Sequence, residues 1–125
     1  MKSRLALAAA TTIGLLAASG STGASEKLLL RLTPNVSNAP STVVVTATVA
    51  RHADNRSLRI EADSGGFYRS SDVQLDGDKA PLITEIRFDN LPGGEYVVKA
   101  VLRNNLGGET TLRRTALVLP RLGER

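Results

Sequence analysis

The sequence contains no cysteine, no tryptophan and one histidine among its 125 residues. Without cysteine the chain can form neither a disulfide nor a thiolate metal site, and it offers no thiol for lipid attachment. Zinc and copper prefer imidazole and thiolate ligands, so a single histidine argues against a site for either metal. That residue, His52, lies in a predicted loop, where a solvated side chain is the alternative to a catalytic one. We therefore predict no catalytic residue, no metal site and no cofactor.

Nucleotide-binding and nucleic-acid-binding signatures are also missing. The chain has neither the G-x-G-x-x-G pattern after a strand nor a phosphate-binding P-loop. Its four aromatic residues are not interleaved with its arginines, as they are in many nucleic-acid-binding surfaces. They are Phe67, Tyr68, Phe88 and Tyr96. Nucleic acid is therefore not an expected partner.

The first two dozen residues have the pattern of a secretory signal. Lys2 and Arg4 precede an apolar stretch at 5–18, and small residues follow at 19–24. We expect residues 1–24 to be a signal peptide, cleaved near Ala24, and the protein to be secreted or periplasmic. An uncleaved anchor helix is the alternative, although the stretch is shorter than the ~20 residues that a membrane span needs. No membrane span is predicted after cleavage.

The net charge of +4 falls once this segment is removed. Without Lys2 and Arg4, 14 basic and 12 acidic residues remain, a net charge of +2. Four arginines lie near the C-terminus: Arg113, Arg114, Arg121 and Arg125. They indicate either an exposed strand followed by a solvated tail at 121–125, or a docking patch for polyanions of the cell envelope.

From residue 27 onward the apolar residues repeat with the period of two that is typical of strands, and no helical stripe appears. Strands are predicted at 28–33, 42–51, 57–63, 67–75, after Pro81, from Tyr96 and at 110–119. Turn residues separate them, so we predict one all-β domain at 25–120, an antiparallel β-sandwich of about seven strands. Within it, 67–75 is a weaker strand, and Arg113 and Arg114 suggest a bulge.

The stretch between the fifth and sixth predicted strands has a distinctive order of residues. Pro92 and two glycines allow a sharp turn, and a tyrosine at the start of the next strand can bury its ring while its hydroxyl bonds to the backbone upstream. Five residues would form this corner: Leu91, Pro92, Gly93, Gly94 and Tyr96. The alternative for Tyr96 is an ordinary half-buried strand residue.

This corner and the alternation of Val98, Ala100 and Leu102 resemble fibronectin type III and bacterial immunoglobulin-like domains over about 20 residues. The core tryptophan and the cysteine pair of related domains are absent. The resemblance implies an immunoglobulin-like sandwich that serves as a non-enzymatic module. Such a module would act by protein or cell-envelope contacts, with other exported or envelope proteins as partners, and possible roles include a subunit of a larger assembly.

Candidate partner-binding residues follow from this resemblance, because the loop before the last strand projects in similar domains and a basic strand end suits acidic partners. They are Asn104, Asn105, Leu106, Arg113 and Arg114. The first strand either packs within its own domain or adds to the sheet of a neighbour. The sequence does not indicate an oligomeric state.

An accessory module that binds glycans or Ca²⁺ is the alternative function. Oxygen ligands for Ca²⁺ would come from Asp72, Asp76 and Asp78, although Asp-Gly-Asp is also what a tight turn selects. A sugar would stack on Phe67 and Tyr68, unless one ring of this pair points into the core and the other outward.

Overall fold

The computed structural model describes residues 27–122, which form eight β-strands. In chain order they are β1 (Leu28–Thr33), β2 (Val36–Asn38), β3 (Ser41–Val49), β4 (Asn55–Asp63), β5 (Tyr68–Gln74), β6 (Ile83–Leu91), β7 (Gly94–Asn104) and β8 (Glu109–Leu119). A 3₁₀ turn at Gly77–Lys79 lies between β5 and β6. The predicted signal peptide at 1–24 falls outside the described residues. Between residues 27 and 122, no helix has the length and apolar character needed to cross a bilayer.

The strands form two sheets, as predicted for an all-β chain. One sheet has three strands in the order β1-β3-β6, and the other has five in the order β2-β8-β7-β4-β5. Two details differ from the prediction. The three residues of β2 were expected to be part of a loop, and β2 runs parallel to β8, with Val36 beside Leu117. A strand this short, between two prolines, shows no alternation that would reveal it.

The core lies between the two sheets and is built from alternate residues of each long strand. The period of two predicted from the sequence is confirmed by the alternating burial of β1, β3, β4 and β7. The strand β1 pairs with β3 along its whole length, so it packs within its own domain. The largest fully buried side chains are Tyr96, Leu28, Leu30, Leu58, Ile60, Leu91, Val43, Val45, Val98 and Val118.

A corner carries the chain from β6 in one sheet to β7 in the other. The ring of Tyr96 is fully buried, and its hydroxyl donates a hydrogen bond to the carbonyl of Pro92 at 2.7 Å. The ring of Phe67 meets it edge-on, with 6.4 Å between centroids. A Cβ atom at Gly93 would lie 2.7 Å from Cα of Pro120, so a larger residue there would push the end of β8 away.

Two arginines close the open sides of the sandwich. Arg114 on β8 is half-buried and donates a hydrogen bond to the carbonyl of Leu30 on β1, at 2.9 Å. On the opposite side, Arg69 on β5 donates to the carbonyl of Asp89 on β6, at 3.1 Å. Each bond joins one sheet to the other and satisfies a carbonyl on an edge strand of the three-stranded sheet.

The bulge predicted at Arg113 and Arg114 is wrong. The β7–β8 register runs without a shift from Gly94 beside Val118 to Arg103 beside Glu109. Arg114 takes an inward position in a regular strand because its long side chain reaches across the gap between the sheets at their edge.

Candidate functional site

An open pocket of about 330 Å³ lies at one end of the sandwich, where the β3–β4 loop meets the β7–β8 hairpin. We call it the His52 pocket. The residues around it come from the start of β1, the ends of β3 and β7, and the starts of β4 and β8. They are Lys27, Ala50, Arg51, His52, Asp54, Asn55, Leu102, Asn104, Gly108, Glu109 and Thr110.

The loop that carries His52 is held in place by its own hydrogen bonds. The buried amide of Asn55 donates to the carbonyl of Ala50 at 3.0 Å, and the backbone N–H of Asn55 donates to the carbonyl of His52 at 3.1 Å. The N–H of Asp54 donates to Nδ1 of His52 at 3.0 Å. Because the Nδ1 lone pair is used in this bond, a neutral His52 ring carries its proton on Nε2 and acts there as a donor.

The charges around the pocket do not balance. Its carboxylate at Glu109 is bound by Arg103 on the neighbouring strand, while Asp54 Oδ2 lies 3.8 Å from His52 Nδ1. Arg51 donates through Nε to the carbonyl of Ala80, and its terminal guanidinium nitrogens make no hydrogen bond within residues 27–122. The pocket is lined by two basic side chains, Lys27 and Arg51, and two acidic ones, Asp54 and Glu109. When Arg103 is counted with Glu109, one positive charge is in excess.

The β7–β8 hairpin forms the other wall, and two of its residues predicted to bind a partner, Asn104 and Asn105, make hydrogen bonds within the fold. Oδ1 of Asn104 accepts hydrogen bonds from the backbone N–H groups of Leu106 at 2.9 Å and Gly108 at 2.8 Å. The backbone N–H of Asn105 donates to the carbonyl of Asp54, at 2.9 Å, which ties the hairpin to the β3–β4 loop. The tip residue Leu106 is 84% exposed.

The other two predicted partner-binding residues lie on opposite faces of β8. Arg113 is on the outer face of the five-stranded sheet, beside Lys99 of β7, whereas Arg114 points between the sheets toward Leu30. The structure therefore does not bring Leu106, Arg113 and Arg114 to one surface, and the guanidinium of Arg114 is used within the fold.

The outer face of the five-stranded sheet carries a row of ion pairs that sequence reasoning missed. Arg59 Nε lies 2.8 Å from Asp72 Oδ1, and Lys99 Nζ lies 3.6 Å from Glu61 Oε1. The hydrogen bond from Arg59 lowers the pKa of Asp72, and the same bond raises the pKa of Arg59. The sequence does show opposite charges at outward positions of these strands. The ion pairs can be predicted from them only when the register between the strands is known.

The candidate ligand sites for Ca²⁺ and glycans do not form. Asp72 is on β5 and paired with Arg59, while Asp76 and Asp78 belong to the 3₁₀ turn. Among residues 27–122, no cluster of three or more His, Cys, Asp or Glu side chains is arranged to hold a metal ion. The aromatic pair splits, with the Phe67 ring against the core and Tyr68 exposed.

Neither a family model nor a curated protein matches this sequence. Solved structures do match its fold. The superoxide reductase (neelaredoxin) from Ignicoccus hospitalis is 16% identical, with a TM-score of 0.61 over 74% of this chain and 80% of that chain. One variant of that enzyme is 16% identical, with a TM-score of 0.60 over 84% of this chain and 87% of the other. A second is 15% identical, with a TM-score of 0.60 over 82% and 85%.

These matches correct the functional prediction. The expected kinship with fibronectin type III and bacterial immunoglobulin-like domains is wrong, because the structures of matching fold are superoxide reductases. The predicted non-enzymatic binding module, with its glycan or Ca²⁺ alternative, is contradicted as well, since those proteins are enzymes. A short tyrosine corner was too local a feature to identify the relatives of a whole two-sheet fold. At this level of identity, the likeness shows that the chain shares the fold of superoxide reductases.

Proposed function

We propose that this protein binds a small anion in the His52 pocket, on a superoxide-reductase-like fold. The observation that carries the proposal is the charge of the pocket. Lys27, Arg51 and the Nε2–H donor of His52 line it together with the carboxylates of Asp54 and Glu109. Arg103 binds Glu109, which leaves one positive charge in excess. Superoxide, which the matched enzymes are named for, is itself a small anion and is therefore one of the ligands to test.

Reduction of superoxide also requires an electron, which enzymes supply through a metal or an organic cofactor. The residues described here do not fit a redox metal. The chain has one histidine and no cysteine, and the Nδ1 lone pair of His52 accepts the Asp54 N–H. Residues 27–122 hold no group of three ligating side chains. The proposal is therefore limited to anion binding, and no electron-transfer step is assigned to these side chains.

Azide is a suitable probe because it is a stable, small monoanion. Titration of the ¹⁵N-labelled protein with azide should shift the NMR signals of the Arg51 side chain, His52 and Asn55. Arg51→Ala should weaken binding about three- to fivefold, the effect of losing one solvent-screened charge, and added salt should weaken it further. Arg113→Ala is the matched control, since Arg113 does not line the pocket. Equal weakening by both variants, or no shift at the pocket, would overturn the proposal.

A second measurement separates binding from redox chemistry. Superoxide generated by xanthine oxidase is followed in competition with cytochrome c, with the protein before and after addition of Fe²⁺. We expect no iron-dependent removal of superoxide that requires His52, for the reasons of donor chemistry given above. If iron-dependent removal of superoxide occurs and is lost in His52→Ala, the pocket holds a metal centre. That result would contradict the proposal that the pocket binds an anion without transferring an electron.

Export is a separate proposal that rests on the sequence of residues 1–24 alone. We propose a secreted or periplasmic location after removal of a signal peptide, with other exported or envelope proteins as partners. The charged stretch, the apolar stretch and the small residues before Ser25 support it.

A further inference from the structure

The strand β6 lies at an edge of the three-stranded sheet, and among the strands of residues 27–122 it pairs with β3 alone. The N–H of Val49 donates to the carbonyl of Leu82 at 2.8 Å. Together with the register of β3 and β6, this bond shows which residues of β6 direct their backbone groups toward β3. In an antiparallel pair, residues with backbone groups directed at the partner alternate with residues whose groups point away. The N–H and C=O groups of Glu85 and Arg87 therefore point to the open edge of the sheet.

Charged side chains on this edge have few partners within residues 27–122. Glu85 makes no hydrogen bond or ion pair with any other described residue. Of the described residues, Arg87 pairs only with Asp89, two residues along the same strand, at 3.3 Å, and its side chain is 64% exposed. Ile83, at the start of the strand, is 54% exposed.

These features are complementary to a second copy of the same strand. If two β6 strands pair antiparallel about a two-fold axis at Ile86, Glu85 of each copy lies opposite Arg87 of the other. Both residues direct their N–H and C=O groups to the open edge. Each of the two Glu85–Arg87 pairs therefore exchanges two main-chain hydrogen bonds, which makes four. The half-buried Ile86 side chains meet at the axis, in the type of pair where side chains come closest.

The same charges disfavour the neighbouring registers. With the axis moved to Arg87, that residue faces itself and Glu85 faces Asp89. With the axis at Glu85, two carboxylates oppose each other. An axis at Phe88 would set Arg87 against Asp89, but the left-handed backbone of Asn90 (φ 55°) bends the strand there. Charged side chains on an edge strand usually prevent pairing, and here they select one partner and one register.

We propose that the protein forms a homodimer through its β6 strands, which joins the two three-stranded sheets into one of six strands. The hydrogen bond from Arg69 to the Asp89 carbonyl does not prevent this, because a carbonyl oxygen can accept a second bond. No residue of β6 lines the His52 pocket, so dimerisation and anion binding are tested independently.

Sedimentation velocity of the full chain at micromolar concentrations tests the dimer. Arg87→Glu and Glu85→Arg each place two pairs of like charges across the axis, so each should weaken association at least about tenfold. The double variant Glu85→Arg/Arg87→Glu restores opposite charges and should dimerise as the wild type does. Arg113→Glu, on the outer face of the other sheet, should have no effect.

Circular dichroism checks that each variant is folded. All these positions are exposed, so the fold is expected to survive. A wild-type protein that sediments as a monomer across the concentration range would overturn the proposal. A folded double variant that stays as weak as the single variants would do the same, because the charge pairing is what defines the register.

Discussion

Single polar side chains stabilise this fold where a backbone group lacks a strand partner. The hydroxyl of Tyr96 satisfies the Pro92 carbonyl at the corner between the sheets, and the amide of Asn55 satisfies the Ala50 carbonyl beside the His52 pocket. In the β7–β8 hairpin, the Asn104 side chain accepts two backbone N–H groups. At the part-buried bonds of Tyr96 and Asn55, loss of the side chain leaves a backbone carbonyl without its donor.

Tyr96→Phe removes only the hydroxyl and keeps the buried ring. We expect the free energy of unfolding to fall by about 1–2 kcal/mol, because the Pro92 carbonyl loses its donor while the packing of the ring is unchanged. For a domain of this size, that corresponds to a melting temperature lower by several degrees. Urea denaturation followed by circular dichroism measures the change.

Tyr68→Phe is the matched control for this experiment. Tyr68 is 55% exposed on β5, so its hydroxyl can remain hydrated and its loss should have little effect. Equal destabilisation by the two variants would show that the hydroxyl of Tyr96 contributes nothing specific at the corner.

At the level of elements, the two edge strands of the three-stranded sheet each have a carbonyl bound by an arginine of the other sheet. Leu30 on β1 is bound by Arg114, and Asp89 on β6 is bound by Arg69. A charged donor makes a stronger bond than a neutral one. These contacts hold the layers together where no strand continues from one sheet to the other.

Arg114→Met tests this contribution. Methionine keeps an unbranched apolar side chain but removes the donors, so the Leu30 carbonyl loses its partner in the gap. We expect a loss of about 1–2 kcal/mol in the free energy of unfolding. Arg113→Met changes the neighbouring residue on the exposed face, and its effect should stay within about 0.5 kcal/mol. A larger effect at Arg113 than at Arg114 would contradict the proposed role of the inward arginine.

At the scale of the whole molecule, the sequence predicts those strands whose apolar residues repeat with a period of two. On β3, Ala47 lies between Thr46 and Thr48, and on β4 Leu58 and Ile60 alternate with charged residues, so these strands and their buried faces are evident. The strand β5 has few apolar residues, and its sequence predicts it only weakly, yet it pairs with β4 along its full length. Asp72 on β5 instead accepts a hydrogen bond from Arg59 on β4, which links the two strands on their exposed face.

The candidate site could not be predicted in this way. The His52 pocket brings together three stretches that are far apart in sequence, at residues 27, 50–55 and 102–110, and its charge depends on which carboxylate is already paired. Arg103 neutralises Glu109 only because β7 and β8 place them side by side. A local pattern such as the corner at Tyr96 predicts how one turn is built. The similarity of the fold to those of other proteins depends on how all eight described strands are arranged.

The dependence of stability on pH is also a property of the whole molecule, and Asp72 contributes to it with a definite sign. The hydrogen bond from Arg59 lowers the pKa of Asp72 in the folded state below its unfolded value of about 3.9. The unfolded chain therefore binds this proton more readily, so the stabilisation is complete above the unfolded pKa and is lost as the pH falls through the folded pKa. Asp72→Asn should reduce stability at neutral pH, and its difference from the wild type should disappear in acid.

Urea denaturation at a series of pH values measures this difference, and a carboxyl NMR titration gives the pKa of Asp72 directly. Arg59→Gln should move that pKa upward, toward the ordinary range of an aspartate. Asp78→Asn is the control, because the Asp78 carboxylate makes no ion pair within the described part of the chain. Both side chains of the Arg59–Asp72 pair are more than half exposed, so added salt should shrink the effect of Asp72→Asn. A difference that persists in strong acid would mean that asparagine destabilises β5 for a reason other than the lost charge.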